Sequence, residues 1–181
     1  MNKLISVFED GATKWLLKCG NILDEPADVL VCSANVSLNL SGGVGAELLG
    51  RYGPAMQTVL HNALRMRTPR AAQRGEIVEC RMNDLPYIAV LHAVTMDGWY
   101  ETTARIVRET VSAALHKARS LGAKKVALSA LATGFGNMTL ADFAEAIRPL
   151  LPIDWSPIEE VCICLLEDYR THELSHSLSQ T

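Results

Sequence analysis

The run Val29-Leu30-Val31-Cys32 and the glycine-rich segment Ser41-Gly42-Gly43-Val44-Gly45 beyond it decide the fold. The run is wholly apolar, Pro26 precedes it, and polar and glycine residues follow it. A strand that is buried on both faces of a sheet has this pattern. We therefore predict a central strand that ends near Ala34 and leads through a glycine-rich loop into a helix from about Ala46.

Apolar runs of the same kind recur on both sides of this stretch. An early hairpin is predicted around Glu9-Asp10-Gly11, because Asp-Gly suits a tight turn. Helices are predicted after Pro54, over 102–121 with Gly122 at the C-terminal cap, and from Leu140. The polar tail after Asp168 is predicted to begin as a helix and then fray. The predicted strands cover residues 4–8, 15–17, 77–80, 87–94, 126–131 and 161–166.

The alternation of these elements predicts the fold class. Strands that alternate with helices form a largely parallel sheet with helices on both faces. The early hairpin adds an antiparallel part, so the predicted sheet is mixed. The sequence therefore predicts an α/β fold.

Composition limits the classes of function. With 181 residues, 49% hydrophobic and 20% charged, the chain fits a single globular domain over 1–181. No apolar run nears the roughly 18 residues of a membrane helix. A net charge of −3 argues against a nucleic-acid partner, because such binding depends on Lys and Arg. Five cysteines, three of them in apolar runs, predict reduced thiols and a cytoplasmic protein. The spacing of Cys162-x-Cys164 and of the histidines predicts no metal site, and we predict no cofactor.

A second glycine-rich loop, Thr133-Gly134-Phe135-Gly136, also follows a predicted strand and precedes a predicted helix. Ligands of open α/β sheets bind outside the carboxyl ends of the strands. Glycines there let backbone N–H groups approach phosphate oxygens. Neither loop contains Lys or Arg, so neutral donors would hold the anion, unlike in a P-loop. Each loop alone is also compatible with an ordinary strand-to-helix turn. The pair favours a diphosphate clamp.

Five motifs follow one another between about residues 17 and 166: Gly20-Asn21-Ile22, Ala27 to Asn35, Leu40 to Gly45, Leu91-His92-Ala93-Val94 and Ala132 to Gly136. Their order and spacing resemble those of the macro domain family. The resemblance implies a three-layer α/β/α sandwich with a mixed, mostly parallel sheet and a cleft for ADP-ribose. It also implies that the partner is ADP-ribose, free or attached to a protein.

The resemblance further implies a role for each motif residue. Asn21 would lie near the adenine amine, Ile22 beside the ring, and Asn35 at the distal ribose. The two loops would enclose the diphosphate, and Phe135 would also stack near the distal ribose. The loop residues concerned are Ser41, Gly42, Gly43, Val44, Gly45, Thr133, Gly134, Phe135 and Gly136.

Several positions depart from the family pattern. Asn21 replaces an Asp whose carboxylate accepts from the adenine amine, and an amide oxygen accepts without charge. Gly45 replaces the Asp with which one group of macro-type hydrolases activates water. Cys32 replaces an Asn of the strand motif, and Thr139 replaces a common Pro. The aromatic residue that the last strand often offers to adenine is absent from 164–166.

Three functions stay open at this level. The first is a non-catalytic ADP-ribose binder. The second is a hydrolase that removes ADP-ribose from proteins or cleaves a derivative, with Asn35 as the candidate catalytic residue. Glu47 is the nearest candidate base, although a first-turn helix residue favoured by the helix dipole is the plainer interpretation. The third is a binder of other nucleotides or RNA ends, which the loss of the Asp at position 21 suggests.

Two other features have both a structural and a functional interpretation. His92 lies in an apolar run, which favours a hydrogen-bonded core histidine over a catalytic one. Trp99-Tyr100 follows that run, and such a pair usually caps a core but can border a cleft.

Overall fold

The computed structural model describes residues 1–180 and contains seven strands and five α-helices among them. The strands are β1 Lys3–Phe8, β2 Lys14–Cys19, β3 Val29–Asn35, β4 Ile77–Cys80, β5 Ala89–Met96, β6 Lys125–Ser129 and β7 Glu160–Leu165. The helices are α1 Gly43–Tyr52, α2 Ala55–Arg65, α3 Ala104–Ser120, α4 Leu140–Ile147 and α5 Asp168–Ser179.

The strands form one sheet in the order β1-β2-β7-β6-β3-β5-β4. The five central strands run parallel, whereas β1 and β4 pair antiparallel with their neighbours at the two edges. The sheet is therefore mixed and mostly parallel, as predicted. The antiparallel edge strand β4 adds a second antiparallel pair that the sequence analysis did not foresee.

Two apolar cores on opposite faces of the sheet make the fold three-layered. Alternate residues of β3 enter different cores, because successive side chains of a strand point to opposite faces. Val29 and Val31 lie in the core that α3, α4 and α5 cover, and Leu30 and Cys32 lie in the core that α1 and α2 cover. Both faces of the central strands are thus buried, which explains their continuous apolar runs.

Helix α3 is slightly shorter than the predicted 102–121, and two other helices differ more from the prediction. Helix α1 begins at Gly43 and not near Ala46, because the extended Gly42 (φ −160°) serves as its N-cap and the glycines themselves enter the first turn. Helix α5 does not fray but continues to Ser179. Its buried side chains, Thr171, Leu174 and Leu178, lie on one face and pack on the sheet. No helix within residues 1–180 is long and apolar enough to span a membrane.

Candidate functional site

A cleft of about 550 Å³ opens at the carboxyl ends of β3, β6 and β7, where both glycine-rich loops meet. Gly45 and Gly136 lie outside its lining, and every other residue predicted to bind the ligand lines it. Those lining residues are Asn21, Ile22, Asn35, Ser41, Gly42, Gly43, Val44, Thr133, Gly134 and Phe135. The volume is within the range of small-molecule sites, roughly 300–1,000 Å³.

The first loop ends in the N-terminus of α1. Gly43 has a φ of +51°, in the left-handed region that glycine adopts without a steric penalty. No side chain caps this end of the helix, so the first-turn N–H groups are left for another acceptor. A helix N-terminus with free donors attracts anions.

Hydrogen bonds hold the second loop in place without using the backbone N–H of Gly134. The Thr133 hydroxyl donates to Ala130 O (2.8 Å), and the Asn137 side chain accepts from Thr102 N (2.9 Å). Within residues 1–180 the backbone N–H groups of Gly134 and Phe135 have no acceptor. This loop therefore also presents free donors beside the cleft.

The two loops touch each other through Phe135 and Gly42. The Phe135 ring is 68% exposed, and a Cβ added at Gly42 would lie 2.5 Å from its Cε2. Only glycine at position 42 leaves room for the ring in this position. The exposed ring thus lies between the two loops and lines the cleft.

Gly45 and Gly136 have a packing role. A Cβ at Gly45 would lie 3.1 Å from the Cα of Leu40, and one at Gly136 would overlap the carbonyl oxygen of Ala132. Both glycines lie outside the lining of the cleft, and the absence of a Cβ at these positions lets each loop fold tightly. A larger side chain at position 45, such as the family's Asp, would have to displace Leu40.

Asn21 uses both ends of its side-chain amide. Its Oδ1 accepts from Leu23 N (2.9 Å) and caps the short 3-10 helix Ile22–Asp24, while Nδ2 donates to Oε2 of Glu47 (3.3 Å). Glu47 lies in the second turn of α1, so its interpretation as a first-turn helix residue is wrong. The hydrogen bond places a carboxylate beside Asn21, on the side of the cleft where the resemblance implies adenine.

Asn35 lies at the end of β3 and is 8% exposed. Its Oδ1 accepts from Ser37 N (3.0 Å), which fixes the orientation of the amide. Within residues 1–180 its Nδ2 has no acceptor, and the residue lines the cleft. A buried amide with a free donor is suited to hold a hydroxyl group of a ligand.

Several lining residues were missed by the sequence analysis. Arg170 of α5 reaches the second loop and donates to Thr133 O (2.9 Å) and Oγ1 (3.2 Å). Tyr100 was not missed: it lines the cleft with a φ of +64°, which is one of the two interpretations of Trp99-Tyr100, whereas Trp99 is 85% exposed and does not cap the core. The other lining residues that were missed include Met96, Cys164, Leu166 and Glu167. No local pattern connects these residues, because they lie on separate elements.

His92 is a core histidine, as predicted. It is fully buried with Nδ1 3.4 Å from the Cys32 sulfur, and burial lowers its pKa to about 4. It does not line the cleft.

Cys162 and Cys164 have a third neighbour that their spacing did not indicate. Their sulfurs lie 3.7 Å apart, and a carboxylate oxygen of Glu25 lies within 4.8 Å of both. The partly exposed Lys18 pairs with that buried carboxylate, and Asn2 donates to it (3.0 Å). The hydrogen bond to Cys164, together with burial, raises the pKa of the Cys162 thiol. Lys18 and Asn2 thus already balance the charge and hydrogen-bonding needs of the Glu25 carboxylate within the protein.

Comparison with known proteins gives consistent matches. A family model described as Macro domain matches residues 31–147. An uncharacterized protein of Mycobacterium tuberculosis is 36% identical over 118 residues, which cover 65% of this chain and 31% of that protein. The matched segment is thus about a third of the length of that relative.

Solved structures share the fold at low identity. The Oceanobacillus iheyensis macrodomain with ADP is 18% identical with a TM-score of 0.81, covering 98% of this chain and 96% of that one. The Trypanosoma brucei macrodomain in complex with ADP-ribose is 20% identical with a TM-score of 0.71, covering 91% of this chain and 69% of that one.

Proposed function

The chain belongs to the macro domain family, and we propose that it binds ADP-ribose, or a close derivative of it, in the cleft between its two glycine-rich loops. One observation carries the proposal: residues of both loops with free backbone donors line a single cleft, and Phe135 lies against Gly42 between them. A diphosphate fits this arrangement, because its oxygens accept from both sides at once. Fold relatives that contain ADP and ADP-ribose support the same ligand class.

Calorimetric titration tests the proposal. ADP-ribose should bind saturably and more tightly than AMP or ATP, and Gly43→Glu should abolish binding, because the side chain would place a carboxylate at the N-terminus of α1. Gly53→Glu is the matched control. Gly53 ends the same helix with a φ of +77° and has no atom within 4 Å of an added Cβ, so a glutamate there also strains the backbone of α1 but lies outside the cleft.

Equal binding of all three nucleotides, or tighter binding of ATP, would favour a nucleotide binder of another specificity. Loss of binding in both glutamate variants would trace the effect to strain in α1 and not to the blocked cleft. The first result would contradict the proposed specificity for ADP-ribose, and the second would contradict a blocked cleft as the cause of the Gly43→Glu effect.

Hydrolysis of an ADP-ribosyl linkage on a protein is the second candidate activity of this cleft. The free Nδ2 of Asn35 favours it, since this donor could hold a hydroxyl of the distal ribose or orient a water molecule. Loss of label from a mono-ADP-ribosylated protein measures the activity. Asn35→Ala should abolish that loss, and a stable label with the wild-type protein would leave binding as the sole function.

A further inference from the structure

Arg170 is the single Lys or Arg that lines the cleft within residues 1–180. Two carboxylates, Glu47 and Glu167, line the same cleft. Without Arg170, an anionic ligand would therefore face two negative side chains and no positive one. The charge of the cleft depends on this residue, which comes from α5, far from either loop in sequence.

The guanidinium is held by the second loop and not by its neighbouring acid. Its Nη2 donates to both Thr133 O and Thr133 Oγ1, and Thr133 follows directly on the turn at Ala132, whose φ is +63°. Glu167 approaches Arg170 only to 3.9 Å, which is too long for a hydrogen bond. The side chain is 25% exposed, so its charge is partly shielded from solvent.

The contact also orients the loop. A trans peptide is planar, so its carbonyl oxygen and the following N–H point in opposite directions. By holding Thr133 O toward α5, Arg170 directs the N–H of Gly134 away from α5. That N–H is one of the two donors in this loop that have no acceptor in the protein.

We propose that Arg170 is a positioning and specificity-determining residue of the cleft, which fixes the Thr133–Gly134 peptide and supplies the positive charge that selects ligands carrying a diphosphate. The inference rests on the proposed function for the identity of the ligand. The inference predicts that the affinity for a diphosphate depends on ionic strength because of the Arg170 side chain, although both glycine-rich loops lack basic residues.

The test is a titration of ADP-ribose and of ADP at several salt concentrations into wild type, Arg170→Gln and Arg170→Lys. Arg170→Gln should weaken both ligands about tenfold at low salt and flatten the salt dependence of Kd. Arg170→Lys should keep the salt dependence but bind more weakly than wild type, because an ammonium lacks the planar fork of the guanidinium.

Arg148→Gln is the matched control. Arg148 also donates to a backbone carbonyl between α5 and the rest of the fold, Ser177 O at 2.8 Å, but it does not line the cleft. Its loss should leave the salt dependence of Kd unchanged. A similar flattening in Arg148→Gln, or an unchanged Kd in Arg170→Gln, would overturn the inference.

The two proposals fail in different ways. If the wild type binds ADP in an Arg170-dependent manner but not ADP-ribose, the inference holds and the proposed function is wrong. If it binds ADP-ribose with no effect of Arg170→Gln, the function holds and the inference is wrong. If it binds neither ligand, both are wrong.

Discussion

Replacing Gly136 by alanine should destabilise the protein, whereas the same change at Gly134, two residues earlier in the same loop, should not. A Cβ at position 136 would overlap the carbonyl oxygen of Ala132 and lie 2.9 Å from the sulfur of Met96. The Met96 side chain can move, but the carbonyl is backbone at a strained position, with Ala132 at a φ of +63°. The loop itself must therefore shift. Overpacking of this kind costs about 1–3 kcal/mol.

A fall of about 2 kcal/mol in the free energy of unfolding corresponds to a Tm lower by roughly 4–8 °C for a protein of this size. An added Cβ at Gly134 has no atom within 4 Å. Alanine there should be neutral or stabilise by up to about 1 kcal/mol, because it restricts the unfolded chain. Urea unfolding followed by tryptophan fluorescence measures both variants. Equal free energies of unfolding for the two would refute the packing argument, and with it the role assigned to Gly136.

Three further predictions concern charged and titratable groups. Burial lowers the pKa of His92 to about 4, so the unfolded chain takes up a proton at a higher pH than the folded protein does. The free energy of unfolding should therefore fall by about 3 kcal/mol as the pH is lowered from 6.5 to 4. His92→Gln should remove most of this pH dependence in urea unfolding measured at each pH. Lys18→Met should cost up to about 3–5 kcal/mol, because it leaves the buried Glu25 carboxylate without a positive partner and with only the Asn2 hydrogen bond. Lys3→Met, from an exposed pair, should cost under about 1 kcal/mol, and similar losses in thermal unfolding would contradict this. Asn21→Asp should place two carboxylates side by side, since Asn21 now donates to Glu47, and their repulsion should lower the stability. The loss should shrink as the salt concentration rises, and a loss that does not depend on salt would argue against that contact.

The sequence predicted the elements that a local pattern encodes. The central strands have both faces buried, so their apolar runs are continuous and recognisable, as in Val29 to Cys32. The N-terminus of α4 is also encoded locally, because Thr139 and Asp142 stand three residues apart and each side chain bonds to the other's backbone. The position of both loops at the carboxyl ends of parallel strands follows from topology alone, which is why they meet at one cleft.

Features that depend on distant contacts could not be read from the sequence. The start of α1 was placed too late because glycines oppose a helix in isolation, and here they are accommodated at its first turn. The tail was expected to fray because most of α5 is polar, but three buried residues suffice to dock it. Arg170 reaches Thr133 across 37 residues, so a search for basic residues within the loops necessarily missed it.

The most direct test of the account is to follow backbone amide resonances while ADP-ribose is added. If both loops bind one diphosphate, the amides of Gly43 and Gly134 should shift together and saturate at the same ligand concentration, because their N–H groups acquire the same acceptor group. Remote glycines such as Gly50 and Gly122 should not move. Shifts confined to one loop, or different saturation points for the two, would contradict the claim that the cleft binds ADP-ribose between its glycine-rich loops.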